Sequence, residues 1–309
     1  MTATPALAAA SILSGLLLAP LTPAVIARTK AVFAGRRGAP LSQPYRDLAK
    51  LLRKGWVFSR TTTGLFRAAP VLVLACGAAA LAMTAPAGIA PGWGFAGDMI
   101  LFAYLLGTAR FLTVAAALDT GSSFEGMGAS REVLYSALAE PALITGLAVL
   151  ARISGSSSLA GIYAGLGADV WMSAGAAVLL VLVSFLIVLL AENSRIPFDD
   201  PNTHLELTMV HEVMVLDVSG PDLAAVEYGA SLRLWLFGTL AVRLALTPSG
   251  LGGWELLAAS IGGMLLLAVL VGTIESVTAR LPLLRAPLPL AAAVALTVLA
   301  YVLAARFLG

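Results

Sequence analysis

The run VLLVLVSFLIVLLA, Val178–Ala191, passes directly into ENSRIPFDDPNTHLELTMVHEVMVLDVSGPD, Glu192–Asp222, and this junction decides what kind of chain this is. The first part is apolar apart from Ser184 and shows no alternation of apolar and polar positions. A hydrocarbon core of roughly 30 Å is crossed by about 20 apolar residues in a helix, and no backbone polar group can face lipid unpaired. A membrane β-strand would need alternating faces, so the run is read as a transmembrane helix. The second part is its opposite, with seven of the seventeen acidic residues of the chain and both histidines. Carboxylates and imidazoles beside a spanning segment are costly unless they face protein, water or a partner, so they mark the first place to look for function.

The rest of the chain has the character of the first part. It is 59% hydrophobic and 12% charged, with a mean hydropathy of +0.93, whereas a soluble domain carries roughly 25% charged residues. The expected fold is all-α: a polytopic membrane protein with about eight transmembrane helices. They are placed near 6–27, 66–86, 97–118, 133–151, 170–191, 223–246, 256–275 and 286–305. Residues 1–309 read as a single integral membrane domain, with a basic collar at 28–65 and an acidic coupling loop at 192–222. The first run has no Lys or Arg before it and Arg28 and Lys30 just after it. That is the wrong polarity for a secretory signal, so a retained helix is expected, kinked at Pro20 and Pro23.

Ten of the nineteen basic residues lie between Arg28 and Arg67, which by the positive-inside rule places that loop in the cytoplasm and the N-terminus outside. Segments 119–132, 192–222 and 279–285 then share the cytoplasmic side, in a multi-pass protein of the cell inner membrane. The one cysteine, Cys76, permits no intrachain disulfide, no CxxC zinc site and no Cys-ligated cluster. It reads as a small, packed helix residue. If the chain serves a redox machine, the redox centres are in other subunits. No internal repeat is evident, which argues against an inverted-repeat carrier.

Three groups of residues could carry chemistry. In the collar, PYRDLAKLLRKGWVF, Pro44–Phe58, reads as an amphipathic helix with Tyr45, Leu48, Leu51 and Leu52 on one side and Lys50, Arg53 and Lys54 on another. It suits either anionic headgroups or a docking partner. In the acidic loop, Pro197 and Pro201 set an extended or turned entry, and Asp200 or Asn202 can cap a helix from about Thr203 to Leu216. On that helix His204, Thr208, His211 and Glu212 share a stripe while Glu206 points away. Without an HExxH pattern or a third strong ligand, no metal site is expected. Asp199, Asp200 and Asp222 suit a solvated acidic surface, whereas Glu206 and Glu212 stand among Leu, Met and Val. Clustered, partly desolvated carboxylates repel one another and can relay protons. The third group lies within or at the edges of spans: Arg110, Glu140, Glu192, Glu227, Arg233 and Glu275. A buried ion pair is the simplest reading of Arg110 and Arg233, and carboxylates at similar depth on several spans suggest a proton entry path.

At these residues the chain resembles a known family. ENSRIPFD, Glu192–Asp199, with Glu206–Leu207 and the closing DVSG, Asp217–Gly220, is similar to the cytoplasmic loop of the respiratory complex I subunit 1 family. The collar RRGAPLSQPYRDLAKLLRK, Arg36–Lys54, the stretch LDTGSSFEGMGASRE, Leu118–Glu132, and the Glu140–Pro141 pair resemble its hydrogenase branch, which includes formate hydrogenlyase and hydrogenase-4 membrane subunits. The resemblance implies an eight-helix, non-catalytic subunit that anchors a peripheral arm and couples its electron transfer to proton or sodium movement. The implied partners are a nickel–iron hydrogenase-like large subunit, an iron–sulfur small subunit and antiporter-like membrane subunits, besides the lipid bilayer. No nucleic acid is implied. Cofactors are expected only in those partners, as nickel–iron and iron–sulfur centres. Carried over by motif, an ion path would use Glu140, Glu192, Glu206, Glu212, Asp217 and Glu275. Arm docking and the coupling loop would use Arg36, Arg37, Tyr45, Arg46, Asp47, Arg195, Asp199, Asp200, His204 and His211. Departures are Asn202 and His204 where complex I carries glutamates, and extra residues within VHEVMVLD before the close. They favour a hydrogenase-type complex over the equivalent subunit of a quinone-linked NADH dehydrogenase, and both over an independent secondary transporter.

Overall fold

The computed structural model describes residues 5–84, 94–199, 210–282 and 285–307. Its helices are α1 (Pro5–Leu18), α2 (Leu21–Phe33), α3 (Gln43–Leu52), α4 (Gly64–Met83), α5 (Asp98–Asp119), α6 (Ser123–Ser154), α7 (Leu159–Gly165), α8 (Ala168–Glu192), α9 (Gly220–Leu246), α10 (Gly253–Val277) and α11 (Pro287–Phe307). There are no strands among the described residues. Helices α4, α5, α6, α8, α9, α10 and α11 are each long and apolar enough to cross a membrane, and α1 with α2 is so as a pair bent by 46°. The expected all-α, polytopic fold is therefore present.

The bend in the first span has a specific cause. Pro20 has no N–H, so the carbonyl of Leu16 loses its helical donor. The hydroxyl of Tyr228 in α9 donates to that oxygen at 2.7 Å, and the hydroxyl of Tyr45 in α3 donates to the next, Leu17, at 2.6 Å. The broken turn is thereby re-satisfied from two other helices, and α3 is fastened to the break. Pro23 produces no second kink, because it lies in the first turn of α2, where a missing N–H has no carbonyl to serve.

Three expectations need correction. Helix α6 begins at Ser123, well before the expected 133, because Arg131 and Glu132 are buried in the bundle despite their charge. The expected Gly155–Gly167 loop contains α7, whose start is held by Ser158 Oγ accepting from Gly161 N at 3.1 Å and by Asp98 accepting from Leu159 N at 2.6 Å. The helix expected over 203–216 does not run through its second half: Glu212–Val215 is a single 3-10 turn, and its first half lies outside the described residues.

Within the bundle α8 packs against α6, α9 and α11, α4 against α5 and α9, and α10 against α2 and α9. Lipid tails are as apolar as leucine, so close backbone approach, rather than a hydrophobic force, brings such helices together. At Gly272 of α10 a Cβ would stand 3.0 Å from the Ile26 carbonyl of α2, and at Gly146 of α6 it would stand 2.5 Å from the Phe185 ring of α8. At the start of α9, Gly220 has φ +58°, and a Cβ there would lie 2.4 Å from the Gly55 carbonyl. Beside it Ser219 Oγ accepts from Val57 N at 3.0 Å and donates to Val57 O at 2.9 Å, and Trp56 Nε1 donates to Asp222 at 3.3 Å. The collar is thus clasped onto the end of the 192–222 segment.

Tyr228→Phe removes the donor to the Leu16 carbonyl and leaves that oxygen unpaired. The expected cost is about 1–3 kcal/mol, read as a lower Tm of the detergent-solubilised protein; an unchanged Tm would mean that the bend does not need this bond.

Candidate functional site

Arg110 stands midway along α5 with its side chain buried. An isolated charge at that depth costs about 2.5–3.5 kcal/mol on insertion scales, and α6 and α8 supply the compensation. Its Nη1 donates to Glu140 at 2.7 Å, its Nη2 to Glu192, and its Nε lies 3.4 Å from Glu132. Glu132 and Glu140 are eight residues apart on α6, roughly 12 Å along the axis, so the guanidinium fits between carboxylates reaching from above and below. Glu192 is the last residue of α8. From α9, Arg233 donates to the Glu192 carbonyl at 3.4 Å and is electrostatically coupled to Glu132 and Glu192. Three carboxylates thus meet two guanidiniums. Counted as ionised side chains, the group carries one negative charge in excess.

The segment after α8 turns sharply. Ser194 adopts φ +49°, the left-handed conformation that non-glycine residues rarely take. The turn sends Arg195 toward α10, where its Nη1 is 3.6 Å from Glu275 while Lys30 of α2 lies 2.8 Å from the other oxygen of that carboxylate. Burial holds the Arg195 guanidinium below its usual value against the opposing pull of Glu275, and it stays charged. Asp199 is buried, pairs with Arg280 at 3.5 Å, and accepts from the backbone N–H groups of Val210 at 2.9 Å and His211 at 3.3 Å. Leu281 N donates to Pro197 O at 3.0 Å, so the segments on either side of Asp199 and Arg280 are tied together. At the other end Glu125, fully buried at the start of α6, accepts from Asp217 N at 3.1 Å. Burial first, and then the positive charge of Arg233, push His211 down to about 4, so the imidazole is neutral at neutral pH.

A cavity of about 340 Å³ opens between α2, α3, α9 and the turn after α8. Asp47 and Glu227 line it together with Arg195, Glu192, His211 and Arg233. It leads from the collar to the Arg110 group, because Glu192 belongs to both. Among the described residues no three His, Cys, Asp or Glu side chains converge as a metal ion would require.

The residues singled out from sequence separate into three sets. Glu140 and Glu192 meet at Arg110; Arg195 meets Lys30 of α2 at Glu275; Asp47, Arg195 and His211 face the cavity. Glu212 and Asp217 are exposed, as are Arg36, Arg37 and Arg46 on the collar. Tyr45 serves the bend, and Asp47 accepts from Gln43 at 2.9 Å. Asp200, His204 and Glu206 lie outside the described residues. Sequence reasoning did not single out Glu132, Glu125, Lys30 or Arg280. Glu132 is eight residues before Glu140, near enough to one face of a continued helix to have been found, had the span not been started at 133.

A family model described as NADH dehydrogenase matches residues 6–305. Hydrogenase-4 component C of Escherichia coli (strain K12) is 36% identical over 242 residues, 78% of this chain and 74% of that protein. Formate hydrogenlyase subunit 4 of the same organism is 30% identical over 267 residues, 84% of this chain and 81% of its own length. Among solved structures, a chain of the membrane-bound sulfane sulfur reductase, an archaeal respiratory membrane complex, superposes with a TM-score of 0.80. That match covers 96% of this chain and 98% of the other at 18% identity, and it shows a shared fold. By the length of the family match and by these sequence relatives, the chain belongs to the NADH dehydrogenase subunit 1-type family, alongside hydrogenase-4 component C and formate hydrogenlyase subunit 4.

Proposed function

We propose that this chain is the membrane anchor and ion-translocating subunit of a hydrogenase-type energy-converting complex, and that it contains no redox centre of its own. The observation that carries this reading is the succession of charged residues from the cavity beside the collar, through Arg233 on the Glu192 carbonyl and the Glu192 carboxylate, to Arg110 and Glu140 in the middle of a span. The excess carboxylate of that group is the part able to accept and release a proton. The basic collar and the 192–222 segment sit on the cytoplasmic side of the cell inner membrane in this reading, with the N-terminus outside. Arg36, Arg37 and Arg46, exposed beside Val32 and Phe33, form the docking face for a peripheral arm. That arm supplies the nickel–iron and iron–sulfur centres, in a large and a small subunit, and antiporter-like subunits complete the membrane part.

The arrangement suits coupling rather than catalysis. Arg195 and Glu192 lie three residues apart on one sharp turn, the first tied to Glu275 and the second to Arg110. A displacement of the turn by an arm resting on it would therefore act on two buried ion pairs at once. A second reading, the equivalent subunit of a quinone-linked dehydrogenase, is favoured by the cavity, whose Leu48 and Leu51 wall could receive an apolar ring. A complex that sustains turnover with quinone removed excludes it.

Solubilised in mild detergent from its native membrane, the chain should bring down a soluble large subunit with two CxxC motifs and an iron–sulfur subunit. Recovery as a lone protein that transports a solute would overturn the proposal. Glu140→Gln and Glu275→Gln preserve shape and remove a titrating proton, so each should assemble and pass electrons while losing most ion pumping in reconstituted vesicles. Undiminished pumping in both variants would exclude these carboxylates from the path.

A further inference from the structure

The side chain of Glu140 is the one member of the Arg110 group that opens outward. It is 44% exposed, whereas those of Glu132 and Glu192 are 7% and 4% exposed. Its Oε1 lies level with Gly107 of α5, where an added Cβ would stand 3.5 Å from that oxygen. Gly107 is roughly 14 Å from the Asp98 end of α5 and roughly 18 Å from the Asp119 end, at 1.5 Å per residue. The open carboxylate is therefore near the middle of the α5 span, far from both of its ends. Hydrocarbon tails offer it neither a donor nor a counter-charge.

The surface around it is shaped as a groove. Cavities of about 230 Å³ and 390 Å³ flank Glu140 along the α5–α6 seam. Tyr104 and Phe111, each 69% exposed, form rims on α5, and Ala103 and Gly107 make a low floor between them. Small residues one turn apart let another helix backbone approach closely. The charge of the site points the same way, since one guanidinium, Arg110, is shared among Glu132, Glu140 and Glu192, and Glu140 is the one of the three that faces out.

We infer that the α5–α6 groove is the docking site for a transmembrane helix of another membrane subunit, and that this helix presents a lysine or arginine to Glu140. The inference rests on the reading of the chain as one membrane subunit of a larger complex. The incoming cation would share Glu140 with Arg110 from the side that this chain leaves open.

A photoreactive benzoylphenylalanine at position 104, or at 111 should the first variant assemble poorly, tests this in the complete complex in its native membrane. The expected adduct joins a transmembrane segment of another subunit that carries Lys or Arg within one turn of the attachment point. Replacing that base with Met should reduce the yield several-fold. An adduct with lipid alone, or with a segment that has no basic residue, would overturn the inference. The same probe at Arg37 separates the two levels: soluble subunits captured there, with only lipid at 104, leave the complex standing and remove this docking site.

Discussion

One guanidinium holding three carboxylates is the constraint on which α5, α6, α8 and α9 depend. Arg110 cannot stay in the middle of a membrane unless Glu132, Glu140 and Glu192 come to it, and those residues sit on α6 and at the very end of α8. Removing one partner of a buried ion pair typically costs about 3–5 kcal/mol because the other charge is left bare. The arrangement therefore sets the register of α6 against α5. It also sets the height at which α8 ends, and with that the position of the turn at Ser194. Lys30 and Glu275 do the same for α2 and α10.

The two ion-pair groups are linked by only a few residues of backbone. Glu192 closes α8 and Arg195 follows the left-handed Ser194, so neither pair can shift without moving the turn between them. The turn itself is tied to Leu281 through Pro197, and Asp199 draws in the backbone at 210–211. The segment at 210–219 rests in turn on α6, where Gly128 leaves room for the Val210 carbonyl and Glu125 holds Asp217 N. The loop and the membrane charges form one mechanical unit, and a neutral His211 between Asp199 and Arg233 adds no further charge to it.

Much of the fold was legible because apolar runs of spanning length have one physical outcome in a bilayer. The bend at Pro20 was equally plain, since proline removes a donor that the helix needs. What escaped were features set by tertiary partners. The start of α6 was put too late because Arg131 and Glu132 look like loop residues until Arg110 is beside them. Lys30 served as a marker of topology, yet it is also the partner of Glu275 on α10, a pairing no local spacing can reveal. The short α7 is held by Asp98 from another helix. At the site, the importance of Glu140 and Glu192 was readable from charge at depth, but not that they share one arginine.

In the proposed function, carboxylates around Arg110 exchange a proton while electrons move in a peripheral arm. Infrared difference spectroscopy of the whole complex during turnover tests it most directly, through the C=O stretch of a protonated carboxyl group. The expected result is a turnover-dependent band in the native complex that disappears in Glu192→Gln. The absence of any such band, or one that Glu192→Gln and Glu140→Gln both leave unchanged, would contradict it.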